Sequence, residues 1–281
     1  MKTKVILHLL ITFCLLFTPT YASATGQASE RIIINGERLN MLTLPIEQDS
    51  VLSTKLRENL KGLPWHTACW RAYIGEWEIY DNTLFLNKLF DCNEKDTINY
   101  QKVFDEYKSK GRIKASWYSG ELKVVKGKCI YYIHDSFARH YEDEIIYTIK
   151  EGEVINHENL HNTFKEADMT MKDALQAVKD HYRIKKFPEL QKSRIRVTLS
   201  ILPNVNGQFN SFSYLNMHIK TEGDTQEISD ISHPYVEELI YCLQKIHNWD
   251  VLTLNGQIQG TPIWTFQLHP QRKVTMPTTT D

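Results

Sequence analysis

The residues best suited by type and spacing to do chemistry are His157-Glu158-Asn159-Leu160-His161, an H-E-x-x-H motif. On a helix, histidines four apart share a face and hold zinc, with the glutamate acting as base. The surrounding sequence argues for a different setting. Glu151-Gly152-Glu153 has the form of a hairpin turn, and Val154–Asn156 reads as a strand. The extended metalloprotease form needs Gly at 164 and His at 167, where Phe164 and Ala167 stand. The motif is therefore expected to be a polar strand end, and a zinc-dependent hydrolase using His157, Glu158 and His161 is the alternative function. His134-Asp135 and His140 with Glu142, Asp143 and Glu144 form a second titratable group, expected to be a solvated loop and strand edge. Trp65, Trp70, Trp77 and Trp117 would line a carbohydrate or peptide groove only if they shared one face, and aromatics at strand spacing are more often core. The chain has no phosphate-binding glycine loop and no G-x-S-x-G nucleophile elbow. No catalytic residue, metal or cofactor is assigned, and the expected role is non-enzymatic.

Cysteines are the other reactive set. Lys2 and Lys4, an apolar run from Val5 to Phe17 and Ala22-Ser23-Ala24 have the form of a cleavable signal peptide over residues 1–24. The run is short for a membrane span, and the mature chain is expected to lack one. Phe13 before Cys14 does not fit lipid attachment. Cys69, Cys92, Cys129 and Cys242 then remain in an oxidising compartment. The stretch from Cys69 to Cys92 reads as a hairpin turning at Asp81-Asn82, with Ile79 facing Leu84, Trp77 facing Leu86 and Tyr73 facing Phe90. In that register Cys69 and Cys92 are diagonal neighbours, and a disulfide between them is expected.

These groups need elements to hold them. Residues 25–163 read as a β-rich domain with short helices near Ser50–Lys61 and Asn99–Ser109. Strands are expected at Ala115–Ser119, Glu121–Val125, Lys128–His134 and Tyr141–Lys150. Residues 164–270 form the second domain, and 271–281 a polar, disordered tail. In the second domain a helix over 168–184 presents Met171, Leu175, Val178 and Tyr182 on one face. Ile195, Val197, Leu199 and Ile201 alternate with Arg194, Arg196, Thr198 and Ser200, the pattern of a half-buried strand. Leu215, Met217 and Ile219 repeat it. A helix over 233–249 carries Val236, Leu239, Ile240, Leu243 and Ile246, and a last strand spans Thr261–Leu268.

This helix-β-β-α-β order resembles the C-terminal domain of TonB-type energy transducers. The matching residues are Phe187, Pro188, Glu189, Lys192, the Arg194–Ile201 strand, Trp249, Asn255, Gly256 and Pro262. Two positions depart from the family pattern: Ser193-Arg194 replaces its glycine, and Asn248 its proline. The resemblance implies an α+β fold with a small antiparallel sheet and packed helices. It also implies a periplasmic domain that grips an extended segment of an exported or outer-membrane protein by strand addition. The expected binding edge is Ile263, Trp264, Thr265, Phe266 and Gln267. The Pro-rich spacer of a true transducer is missing, so binding rather than energy transduction is implied. A net charge of −1 over 281 residues, mixed in sign along the chain, gives no footprint for nucleic acid.

Overall fold

The computed structural model describes residues 25–167, 171–221 and 224–268. The expected signal peptide and polar tail lie outside them. The described chain forms two compact units. The first holds residues up to Ser119 together with Tyr132–Arg139 and Lys150–Glu153; the second holds Gly120–Tyr131, His140–Ile149 and the residues from Val154 onward.

Strands make up 46% of the described residues and helices 18%, which overturns the expected α+β class with packed helices: the described protein is mostly β. Two local causes stand out. Lys126-Gly127 does not break the chain into two strands, because Gly127 takes a φ of 79° inside one continuous strand, β7 (Gly120–Tyr132). The H-E-x-x-H segment belongs to another long strand, β9 (Glu153–Lys165).

In the first unit, β1 (Glu30–Ile34) and β2 (Glu37–Met41) form a hairpin, and β1 also runs parallel to β3 (Ile74–Tyr80). Next come β4 (Thr83–Phe90), β5 (Lys108–Ser109) and β6 (Arg112–Lys114), and the strand order is β2-β1-β3-β4-β6-β5. Asp81 and Asn82, at φ 48° and 55°, make the tight turn that matches strand twist. Ile79 pairs with Leu84 and Trp77 with Leu86, as the sequence predicts. A bulge between Glu76 and Trp77 then slips the register by one, so Ile74 and not Tyr73 faces Phe90. Residues 115–119 form turns rather than the expected strand. Helix α1 (Ser50–Asn59) starts where Asp49 accepts hydrogen bonds from the N–H groups of Val51 and Leu52, both at 2.9 Å. It buries Leu52 and Leu56, while Val51 is exposed.

In the second unit, β7, β8 (Arg139–Lys150) and β9 lie in the order β13-β9-β8-β7, with β13 (Val251–Leu254) paired to β9. Asn255-Gly256 turns β13 into β14 (Gln257–Ile258). A four-stranded antiparallel sheet has the order β12-β11-β10-β15, from β10 (Arg194–Pro203), β11 (Phe209–Lys220), β12 (Thr225–Ile228) and β15 (Trp264–Leu268). One face of this sheet is the core: Ile195, Val197, Leu199 and Ile201 meet Leu215, Met217 and Ile219. Helices α2 (Met171–His181) and α3 (Pro234–Leu243) bring Leu175, Val178, Val236 and Leu239 into the same cluster. The other face carries Arg194, Arg196, Thr198, Lys220, His218 and Thr265.

Candidate functional site

β15 lies at one end of the four-stranded sheet and pairs only with β10 among the described residues: Leu199 with Trp264, Val197 with Phe266, Ile195 with Leu268. Of the predicted edge residues, Trp264 to Gln267 lie in this strand. Ile263 precedes it and is exposed.

The direction of the edge's backbone groups follows from hydrogen-bond alternation. Thr221 N–H donates to Asp224 O at 3.0 Å, and these two residues continue the β11–β12 register. In an antiparallel pair, successive residues turn their N–H and C=O to opposite sides. Lys220, His218 and Asn216 therefore point theirs toward β10, and their partners Arg194, Arg196 and Thr198 point back. Ile195, Val197 and Leu199 are left to bond β15 through Leu268, Phe266 and Trp264. Thr265 and Gln267 consequently turn their N–H and C=O outward. The hydroxyls of Thr198 and Thr265 approach to 3.2 Å, as suits the closer side chains of a non-hydrogen-bonded pair. Thr261 N–H donates to Ile201 O at 2.7 Å beside Pro262, which has no N–H to give. The open part of the edge thus starts beyond Pro262.

The other candidate groups are placed differently. In a strand, His157 and His161 share a face but are about 13 Å apart along it, and Glu158 points to the other face. His157 stacks on Tyr147 at 5.5 Å, His161 meets Asp143 at 2.9 Å, and Glu158 accepts from Asn255 at 3.1 Å. The structure does not gather the three around one point. Among the described residues no cluster of three or more His, Cys, Asp or Glu is arranged to hold a metal.

The His140 group is more buried than the sequence suggests. Glu144 is 3% exposed and bonds Lys123 at 2.8 Å, His140 at 3.2 Å and Tyr141 N–H at 3.1 Å. Burial pushes its carboxyl up, but these donors outweigh burial and hold it below the usual range. His134 and Asp135 are exposed. The tryptophans do not form one groove: Trp77 is buried, Trp117 packs on Trp77 and Phe104, and Trp65 and Trp70 face solvent.

Cys69 and Cys92 are bonded, with a Cα–Cα separation of 5.9 Å, in turns just past the strand ends. Cys129 and Cys242 are free. No described helix is long and apolar enough to cross a membrane.

Two polar clusters escaped the sequence reading because their members are distant in the chain. In the first unit, fully buried Glu30 accepts from Arg71 Nε at 3.1 Å and from the Trp77 indole N–H. In the second, Glu238 accepts from Arg183 at 2.7 and 2.9 Å and from Lys186 at 3.2 Å, beside a cleft of about 250 Å³ lined by Phe187, Pro234 and Glu237. Each cluster pairs its carboxylate with a cation, although Arg71 Nη1 is buried without a hydrogen-bond partner among the described residues.

Comparison with known protein families, with curated proteins and with solved structures finds no match to this chain.

Proposed function

We propose that this protein is an exported, non-enzymatic adaptor of the bacterial periplasm, which binds an extended segment of a partner protein by strand addition at β15. The observation that carries the reading is the outward turn of the Thr265 and Gln267 backbone groups on an edge with no described neighbour. Unpaired N–H and C=O groups in strand geometry are a template for another strand, and the affinity comes from main-chain bonds. The Cys69–Cys92 disulfide supports an oxidising compartment. The TonB-like order of elements supports a partner among exported or outer-membrane proteins.

The test replaces one outward donor. Thr265→Pro removes an N–H that makes no bond to β10, whereas Thr265→Val keeps it. A photoreactive residue at Ile263, just before the strand, reports what lies along the edge in envelope preparations. The expected result is one crosslinked partner with the parent and Thr265→Val proteins and none with Thr265→Pro. An undiminished crosslink in Thr265→Pro protein of unchanged melting temperature refutes strand addition.

A further inference from the structure

The solvent face of the four-stranded sheet is unevenly charged. Arg194 stands directly opposite Lys220, and Arg196 directly opposite His218. Arg194, Arg196 and Lys220 are exposed, and among the described residues none of them has an ion-pair partner. Glu227, opposite His218 on β12, is the one carboxylate of this face among the described residues, and the Asn216 side chain holds it. The remaining paired positions, among them Thr198, Tyr214, Asn216, Thr265 and Gln267, carry no formal charge. Three fixed cations less one carboxylate leave the face at +2, while the whole chain carries −1. Like charges directly opposite one another weaken a sheet. An anionic partner lying beside them relieves that repulsion.

The same face continues across β15 to the open edge. Gln267 sits beside Arg196 and Thr265 beside Thr198, both uncharged. A strand added outside β15 would lie roughly 10 Å from β10, two strand spacings away. An arginine and a glutamate side chain together span that distance.

We propose that the segment bound at β15 is acidic, with Asp or Glu at every second residue, so that its carboxylates share the face of Arg194 and Arg196. This rests on the strand-addition reading. The chain's own residues after Leu268 include Arg272 and Lys273, which do not complement the cationic face.

The experiment uses the full chain with its disulfide formed and two fluorescein-labelled peptides, Thr-Glu-Val-Glu-Val-Glu-Val-Thr and the same sequence with Gln for Glu. Anisotropy titration at low and physiological salt gives the affinities. The Glu peptide should bind about tenfold more tightly than the Gln peptide, from two or three partly screened pairs, with the gap narrowing as salt rises. Arg194→Glu with Arg196→Glu should abolish the preference. Arg196→Gln, a milder change at an exposed position, should reduce it. Thr265→Pro should weaken both peptides alike. Equal binding of the two peptides, both lost with Thr265→Pro, overturns the acidic partner and leaves strand addition standing. Failure of both peptides to bind the folded parent protein overturns both readings.

Discussion

Replacing Arg71 by leucine tests how the first unit is held together. Arg71 is 1% exposed and Glu30 is 0% exposed. Their ion pair at 3.1 Å is supported by the Trp77 indole N–H and the Gly75 N–H on the carboxylate, and by Arg71 Nη2 donating to Ala28 O at 3.1 Å. Gly75 is required there: a Cβ would run into the Glu30 carboxylate and stand 2.6 Å from the Trp77 nitrogen. Leucine removes the counter-charge and leaves the carboxylate buried, a change that costs about 3–5 kcal/mol. At about 2–4 °C per kcal/mol, the melting temperature should fall by roughly 6–20 °C at pH 7.5. Burial already pushes the Glu30 carboxyl above its ordinary value, and Arg71 pulls against that shift. Without Arg71 the folded value rises further. A group whose folded pKa is raised contributes its stability below the unfolded value, about 4.3, and loses it as pH rises through the folded one. The deficit of Arg71→Leu relative to the parent should therefore shrink between pH 7.5 and 4.5, as Glu30 takes up its proton. Adding Glu30→Gln should recover part of the loss, so the double variant costs less than the two singles summed. Denaturant unfolding at the two pH values measures all of this. A deficit that is the same at both, or under about 1 kcal/mol at pH 7.5, refutes the reasoning.

Two other perturbations have signs set by the structure. Replacing both Cys69 and Cys92 by serine opens a link across a sequence separation of 23 residues and should cost about 3 kcal/mol, read as a lower denaturation midpoint that reductant does not lower further. Burial pushes the Glu238 carboxyl up, but its bonds to Arg183 and Lys186 prevail and hold it below its ordinary value. Its stabilisation is thus present above the unfolded pKa, about 4.3, and lost as pH falls through the folded one, so the melting-temperature gap between the parent and Glu238→Gln should be widest above pH 5.5 and close below pH 4.

Where one face of an element is buried and the other wet, the residue pattern alone determined the structure. The alternation of Ile195, Val197, Leu199 and Ile201, the apolar stripe of Val236, Leu239 and Leu243, the Asp81-Asn82 turn and the Cys69–Cys92 pair were legible for that reason. β9 was not, because residues 155–159 are exposed on both faces, and a strand without a buried face has no period to read. The H-E-x-x-H spacing suits a helix, and only its place within β9, hydrogen-bonded beside β8, shows the segment extended. The slip at Trp77 was hidden too, since Ile74 to Trp77 are all buried and leave no alternation in which an extra residue would show. The α+β class failed because it counted the helices of the second domain and missed the length of β7, β8 and β9. The candidate site divides along the same line. The strand was readable over Trp264–Leu268, though not over Thr261–Ile263, which precede it, and the outward turn of Thr265 and Gln267 is decided by hydrogen bonds passed across three neighbouring strands. Arg194 and Arg196 were visible as a wet face, and a net charge of −1 concealed what stands next to them. Lys220 and His218 come from a strand two dozen residues away, and register, which composition does not carry, sets them opposite the arginines.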